Sequence, residues 1–153
     1  MPRLLIPVEA LPGETRVAAT PDTVKKFLSL GCSVSVERGA GTSSGYLDQA
    51  YADLGAELTS PGDPGVWGQA DLVLCVQTPT TAMLGAMKRQ ALVAGLLSPY
   101  SNASLASSLQ SGGLSAMALE LLPRISRAQS ADALSSQANI AGYKSVLLAS
   151  AAL

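Results

Sequence analysis

Histidine is absent from the 153 residues of this chain, which disfavours two kinds of site. Imidazole is the commonest general base near neutral pH and the commonest metal ligand. The chain has two cysteines, Cys32 and Cys75, and they lie too far apart for the close spacing of zinc ligands. We therefore expect no metal site, and chemistry that proceeds without a histidine acid or base.

The scarcity of cysteine and of aromatic residues also limits the core. Both cysteines lie in apolar surroundings, which favours reduced packing residues in a cytosolic protein over the alternative of a disulfide between them. Aromatic residues make up 4% of the chain, whereas hydrophobic residues make up 48%. The core is therefore expected to be aliphatic and rich in alanine.

The chain has no large excess of either charge, since it contains ten basic and eleven acidic residues. This balance gives no general affinity for nucleic acid or for an anionic membrane. No apolar run approaches the roughly 18–20 residues of a membrane span. The first residues reach Pro7 and Glu9 too soon for a secretory signal. We expect a cytoplasmic chain with no nucleic-acid partner and no membrane span of its own.

Strand-like and helix-like segments alternate along the chain. Apolar or alternating patterns predict strands over residues 4–9, 33–38, 71–76, 91–97 and 115–122. Helices are predicted from Thr20-Pro21-Asp22 to Gly31, over 48–55 and 81–88, and from an Asn102 cap to Gln110. Residues 61–68, which include Trp67, are predicted as a surface loop. The alternation predicts a three-layer, Rossmann- or flavodoxin-like open parallel sheet of about five strands, with helices on both faces.

The glycine-rich segment GAGTSSG, residues 39–45, follows a predicted strand and resembles a dinucleotide loop only in part. Its spacing is G-x-G-x-x-x-G, and the next helix signal begins only near Asp48. Both features that make a phosphate site work are therefore weak. The pattern favours a structural turn over a phosphate site.

Arg16 lies in GETRVAATP, the loop after the first predicted strand. Loops at the carboxyl ends of parallel strands line the ligand crevice of open α/β sheets. Arg16 is therefore a candidate contact for an anion or substrate. The alternative is a surface arginine that pairs with Glu14 or Glu9.

Residues 123–143, PRISRAQSADALSSQANIAGY, bring several polar groups to one predicted helix start. Ser130 is the predicted cap, and Asp132 is placed in the first turn, where the helix dipole favours negative charge. Leu134, Ala138 and Ala141 form an apolar stripe, while Gln129, Asp132 and Ser135 share another side. By spacing alone, the pattern favours an ordinary capped surface helix with solvated polar groups over a binding site.

This segment resembles the nicotinamide-contacting loop and following helix of proton-translocating NAD(P) transhydrogenase alpha subunits, a family with alanine dehydrogenase as a relative. The stretch PGETRVAATPDTVKKFLSLG, residues 12–31, resembles the start of the same subunit. The resemblance extends over essentially the whole chain and is strongest at both ends. It implies that residues 1–129 form the N-terminal α/β domain. Residues 130–153 would form a helix leading toward a second, NAD-binding domain absent from this chain.

The resemblance also implies a cofactor, NAD(H), and roles for particular residues. Gln129 and Asp132 would hydrogen-bond the carboxamide, and Asp132 would also stabilise the positive ring of the oxidised cofactor. Arg124 and Ser135 would position the neighbouring sugar–phosphate or the ring edge. The implied cofactor-binding set is Arg124, Ser126, Gln129, Asp132 and Ser135. The loop implied to face the NADP-carrying partner subunit comprises Pro123, Arg124, Ile125, Ser126, Arg127, Ala128, Gln129, Ser130, Ala131 and Asp132.

The alanine dehydrogenase relatives use an arginine together with a lysine and a histidine. The arginine matches Arg16, whereas the other two positions match Gln77 and Leu97 here. Neither side chain can transfer a proton, which an amino-acid dehydrogenase requires. Direct hydride transfer between two nicotinamide rings makes no such demand, because the cofactors carry the chemistry.

The leading hypothesis is the N-terminal part of a transhydrogenase alpha subunit, inactive alone and active in a complex that transfers hydride from NADH to NADP⁺. The resemblance implies membrane and NADP(H)-binding partner subunits, a homodimer, and a peripheral location on the cytoplasmic face of the inner membrane. Two alternatives stay open. One is a truncated, non-catalytic domain or subunit-docking module, and the other is an oxidoreductase of the alanine dehydrogenase type.

Overall fold

The computed structural model describes residues 1–123 and 125–152. Six strands form one parallel sheet in the order β3-β2-β1-β4-β5-β6. Their bounds are β1 Arg3–Ile6, β2 Ser33–Glu37, β3 Glu57–Thr59, β4 Leu72–Gln77, β5 Leu92–Leu96 and β6 Ser115–Ala118. The predicted parallel α/β class is confirmed. The structure has one strand more than the five predicted. The additional strand is β3, a three-residue edge strand that pairs with β2.

Six α-helices connect and cover these strands. They are α1 Pro21–Ser29, α2 Asp48–Ala52, α3 Pro64–Trp67, α4 Thr81–Ala86, α5 Ala103–Gly112 and α6 Ala133–Ala152. Short 3₁₀ helices lie at Thr42–Ser44, Leu119–Leu121 and Ser126–Ala131. The start of α1 is as predicted, because the Thr20 hydroxyl accepts a hydrogen bond from the Thr23 amide ahead of Pro21.

The core forms two clusters, one on each face of the sheet. On one face, Leu4 and Ile6 of β1 pack with Val24 of α1 and Tyr51 of α2. On the other face, Val73 and Val93 pack with helices α3 to α5 through the buried side chains Trp67, Leu84 and Leu105. Helices on both faces bury the central strands, as is usual for parallel sheets, whereas the edge strand β6 is largely exposed.

Trp67 corrects the prediction of a surface loop over residues 61–68. Its side chain is 1% exposed, and its indole Nε1 donates to Glu37 Oε1 at 2.9 Å. The Asp63 carboxylate accepts from the Gly65 amide, and Pro64 begins a short helix that carries the indole inward. The proline and glycine content that suggested an exposed loop here marks a helix cap instead.

Two predicted caps are wrong. α6 begins at Ala133, and Asp132 accepts from the Ser135 amide at 2.9 Å, whereas Ser130 lies within the preceding 3₁₀ helix. Asp132 is therefore the residue that caps α6, because its carboxylate satisfies the first-turn amide of Ser135. Asn102 does not cap α5, since its Oδ1 accepts from the Ser104 hydroxyl.

Both cysteines are free thiols, so the predicted reduced state holds and the disulfide alternative is excluded in this structure. Over residues 1–123 and 125–152, no helix combines the length and the hydropathy of a membrane span. In the same part of the chain, no group of three or more acidic or cysteine side chains is arranged to hold a metal ion.

Candidate functional site

The strand order places a crevice between β1 and β4. The chain proceeds outward from β1 through β2 to β3, and then returns to continue from β4 to β6. The connections therefore diverge on opposite faces at this point. Ligands of open α/β sheets bind outside the carboxyl ends of the strands at such a topological switch point.

A cavity of about 490 Å³ lies at this carboxyl edge. Its walls come from the loop after β1, the glycine-rich loop after β2, the ends of β4 and β5, and the start of α6. The lining includes Thr15, Arg16, Thr20, Ser43, Ser44, Tyr46, Cys75, Val76, Leu96, Leu119, Ala133 and Gln137. The cavity is thus bounded by hydroxyl groups on one side and by α6 on another.

Glu9 joins the two strands that flank the switch point. Its carboxylate accepts hydrogen bonds from the amides of Val76 at 2.6 Å and of Gln77 at 2.9 Å, at the end of β4. Burial raises the pKa of Glu9 from its ordinary value, while the two amide hydrogen bonds act in the opposite direction. Glu9 therefore ties the segment after β1 to the end of β4, where Val76 lines the cavity.

Arg16 pairs with Glu14 in the loop after β1. Its Nε and Nη2 atoms donate to Glu14 Oε1 at 2.7 Å and to Oε2 at 2.5 Å. The Arg16 hydrogen bond lowers the pKa of Glu14 to about 2, and the same pair raises the pKa of Arg16. Glu14 also accepts from the Gln77 amide group at 2.9 Å. The structure thus shows the alternative pairing of Arg16, and its contact with an anion stays a prediction.

Gln137 brings α6 into this network. Arg16 Nη1 donates to Gln137 Oε1 at 3.1 Å, across 121 positions of sequence. Ala133 and Gln137 are half-buried, whereas every described residue of α6 beyond Gln137 is exposed. Sequence reasoning did not select Gln137, because the partner that gives it a role lies at the other end of the chain.

The polar start of α6 is built by Asp132 and Ser135. Asp132 Oδ1 accepts from the Ser135 amide at 2.9 Å, and Oδ2 accepts from the Ser135 hydroxyl at 2.6 Å. Gln129 and Ser126 lie in the preceding 3₁₀ helix with exposed side chains. Arg124 lies outside the described residues. The structure therefore brings Asp132 and Ser135 together, with the Gln129 amide presented to solvent a few residues earlier.

The positions expected to correspond to a lysine and a histidine do not supply a proton-transfer pair. Gln77 lies at the end of β4 and donates to Glu14. Leu97 is fully buried in the core, while the preceding residue, Leu96, lines the cavity. Burial raises the pKa of the Cys75 thiol, which also lines the cavity, to about 12. This thiol is therefore protonated at neutral pH and is a packing group.

The glycine-rich loop, residues 39–45, has the geometry of a structural turn. Gly39 and Gly45 have φ values of 84° and 83°, a region that favours glycine. The Gly39 amide donates to Asp48 Oδ1 at 2.8 Å, so a side chain of this domain already engages it. The 3₁₀ helix Thr42–Ser44 lies within this loop, and the next α-helix, α2, begins only at Asp48. The turn geometry agrees with the prediction, and the absence of a phosphate site here stays a prediction.

Two further carboxylates at the carboxyl edge were missed by sequence reasoning. Glu37 is 1% exposed, at the end of β2, and accepts from the amides of Val8 and Gly62 as well as from Trp67. Glu120, beyond β6, accepts from the amides of Leu97 and Ser98 at the end of β5. With Glu9, each satisfies amides of a neighbouring strand end, which would otherwise lack partners. A glutamate at or just beyond a strand end was the available signal.

The family model for the alanine dehydrogenase/PNT N-terminal domain matches residues 5–141. The chain is 42% identical over 150 residues to an NAD(P) transhydrogenase subunit alpha protein of Rhodospirillum rubrum, covering 95% of this chain and 39% of that protein. It is 30% identical over 136 residues to alanine dehydrogenase 1 of Staphylococcus aureus strain N315, and this match covers 89% of this chain and 35% of that protein. The chain thus spans well under half the length of these relatives.

Solved structures give the same result. A transhydrogenase from Sinorhizobium meliloti superposes with a TM-score of 0.89 at 41% identity, covering 95% of this chain and 43% of that one. An L-alanine dehydrogenase superposes with a TM-score of 0.71 at 29% identity, and the superposition covers 77% of this chain and 32% of that one. The predicted resemblance is confirmed.

Proposed function

The chain belongs to the alanine dehydrogenase/PNT N-terminal domain family, and from this premise we propose that it acts as the N-terminal part of an NAD(P) transhydrogenase alpha subunit. Its homologues include the N-terminal parts of such subunits, and alanine dehydrogenase is a more distant relative. In the proposed role, the chain helps to orient the nicotinamide of NAD(H) for hydride transfer to NADP⁺. It contributes to catalysis within an assembled enzyme and is inactive alone.

The observation that carries this proposal is the start of α6. The Asp132 carboxylate is held in one orientation by two hydrogen bonds from Ser135. Gln129 lies in the 3₁₀ helix that precedes α6, and its side-chain amide can both donate and accept hydrogen bonds. A nicotinamide carboxamide requires an acceptor for its NH₂ group and a donor for its oxygen, so this donor and acceptor set fits the cofactor.

The chemistry that the bound cofactors supply is transfer of a hydride between two nicotinamide rings. The task left to this chain is positioning, because small errors in the distance between reacting atoms reduce rates steeply. Gln129 and Asp132 orient the ring through its carboxamide, and the Asp132 charge favours the oxidised, positive ring. Arg124, Ser126 and Ser135 position the adjoining parts of the cofactor.

The second candidate activity, an amino-acid dehydrogenase, has less support. That reaction needs groups that take up and release protons beside the substrate. At the corresponding positions the chain has Gln77 and the buried, aliphatic Leu97, and the Arg16 charge is already paired with Glu14. Hydride transfer between two nicotinamides needs none of these groups.

The proposal extends to partners. The relatives are named as subunits, which supports an assembly with other chains. We place residues 123–132 against a partner subunit that binds NADP(H), and this chain in a homodimer. The assembled enzyme holds the domain at the cytoplasmic face of the inner membrane through its membrane subunits.

The test uses Gln129→Asn, Asp132→Asn and Arg124→Ala in the full-length, assembled protein. Stopped-flow measurement of a single hydride-transfer turnover should show a loss on the order of a hundredfold, because the ring is misplaced. NADH affinity should change only a few-fold, because the adenosine and pyrophosphate contacts lie elsewhere.

Two matched controls separate ring positioning from general effects. Gln110→Asn alters an exposed amide on α5, and Asp22→Asn alters an acidic residue at the start of α1. Both should transfer hydride at the parental rate. If all three test variants also transfer hydride at the parental rate, the start of α6 is ordinary capping, and a non-catalytic docking module becomes the better description.

A further inference from the structure

We propose that Arg16 is a positioning residue that holds the nicotinamide-contacting start of α6 against the sheet through Gln137. The inference rests on the proposed function and adds residues that lie outside the implied cofactor-binding set. Arg16 Nη1 donates to Gln137 Oε1 at 3.1 Å. This contact links the first loop of the domain to the helix on which Asp132 and Ser135 are placed.

The orientation of the guanidinium is determined by Glu14. Two nitrogens of Arg16 bind the two oxygens of the Glu14 carboxylate, a geometry that suits the planar guanidinium and that a lysine cannot reproduce. The Glu14 side chain is 7% exposed and is itself held by the Gln77 amide at the end of β4. The sheet therefore sets the direction in which the third nitrogen, Nη1, points.

α6 has few other contacts with the sheet domain. Its half-buried residues, Ala133 and Gln137, are one turn apart, and the described residues that follow are exposed. These exposed residues include Ile140 at 62%, Tyr143 at 71% and Leu147 at 49%. Apart from its contact with the 3₁₀ helix Leu119–Leu121, α6 buries little against the domain. A polar contact near its start therefore has a large influence on its position.

The tether lies on the opposite side of the helix from Ser135. At 100° per residue, Gln137 is roughly 200° around the helix axis from Ser135 and roughly 140° from the preceding Asp132. A contact on the far side can fix the height and tilt of the helix without occupying the side used by the cofactor.

The surroundings of Arg16 favour this role over direct contact with an anionic ligand. Glu14 already binds two of its nitrogens, and the Glu9 carboxylate lies close enough to raise the Arg16 pKa further. An anion at this place would face two negative carboxylates. The guanidinium is therefore a structural connector between Glu14 and Gln137.

The test compares four variants in the full-length, assembled protein. Arg16→Ala and Gln137→Leu remove the tether, whereas Gln137→Glu keeps an acceptor for Arg16. Arg38→Ala removes an exposed arginine at the end of β2 and is the matched control. The readouts are single-turnover hydride transfer, NADH affinity, and amide hydrogen exchange over residues 133–141.

Loss of the tether should slow hydride transfer by about tenfold to a hundredfold, with NADH affinity changed by less than about threefold. Exchange over residues 133–141 should accelerate, and exchange in β1 and β4 should not. Gln137→Glu and Arg38→Ala should behave like the parent. The double variant Arg16→Ala/Gln137→Leu should be no slower than either single variant, because both remove one interaction.

The outcomes separate this inference from the proposed function. If Gln129→Asn and Asp132→Asn slow hydride transfer while the tether variants do not, the positioning role is wrong and the proposed function stands. Faster exchange in α6 without slower transfer also overturns the positioning role. If Gln129→Asn and Asp132→Asn leave transfer unchanged, the proposed function fails, and hydrogen exchange alone decides whether Arg16 holds the helix.

Discussion

The sheet with its flanking helices and the long helix α6 differ in how deeply their side chains are buried. The sheet buries side chains from both faces, including Trp67 at 1% and Tyr51 at 0% exposure. α6 is the longest helix, with 20 residues, yet no residue of its described length is fully buried. The sheet domain is therefore stabilised by its own packing, whereas α6 contacts it near the helix start, through Arg16 and the 3₁₀ helix Leu119–Leu121.

The proposed site lies where the described chain has few buried side chains. The residues proposed to orient the nicotinamide lie at the junction of the two regions, just before and within the first turn of α6. Segments that meet ligands and partners are commonly drawn from the parts of a fold with few buried contacts. α6 exposes several apolar side chains, and exposed apolar surface of this kind is typical of a contact site for another protein segment.

The largest expected effect comes from Trp67→Ala, which breaks the packing that defines the sheet domain. We expect a loss of about 3–5 kcal/mol in the free energy of unfolding, measured by urea denaturation. Trp67→Phe keeps much of the volume but leaves Glu37 without its indole donor, and should cost about 1–3 kcal/mol.

Leu147→Ala is the matched change in α6 and should stay within about 0.5 kcal/mol, because Leu147 is 49% exposed. If Leu147→Ala destabilises the chain as much as Trp67→Ala does, the contrast between the two regions is wrong.

The smaller effect concerns Glu14, which sets the direction of Arg16. Its pKa is lowered to about 2, so its contribution to stability is complete above the ordinary value of 4.5 and is lost as pH falls toward 2. Glu14→Gln should therefore destabilise the chain by about 1 kcal/mol at pH 7, since Arg16 is partly solvent-exposed. The difference from the parent should shrink as pH falls from about 4.5.

Urea denaturation at several pH values between 7 and 2.5 measures this difference. The raised pKa of Glu9 gives a pH dependence opposite to that of Glu14. Burial is its main cause and the Glu14 charge a smaller one, so most of the Glu9 contribution is common to parent and variant and cancels in the difference. Glu57→Gln, at an exposed position of β3, is the control and should change stability by less than about 0.5 kcal/mol. A constant difference between Glu14→Gln and the parent at every pH would rule out the Arg16 pair as its cause.

Local patterns predicted most of the fold. Residues 33–37 of the alternating segment form β2, and the Thr20-Pro21 start and Gly31 end of α1 are where the signals placed them. The edge strand β3 was missed because three residues carry too little pattern. Trp67 was misplaced because its burial depends on Glu37, thirty positions away.

The candidate site was predicted only where its contacts are local. Asp132 and Ser135 are three positions apart, so their pairing follows from helix geometry. Gln137 and Glu9 acquire their roles from partners 121 and 67 positions away, Arg16 and Val76. These pairings depend on the order of strands in the sheet, which sequence spacing does not contain.

The central claim is that the nicotinamide is oriented at the start of α6 and not at the glycine-rich loop. Titration of the full-length protein with NADH, followed by backbone amide chemical shifts, tests this claim directly. We expect the shift changes within this domain to concentrate in residues 126–137, with residues 39–45 close to their unliganded positions. Shift changes centred on residues 39–45, with residues 126–137 unaffected, would contradict the account.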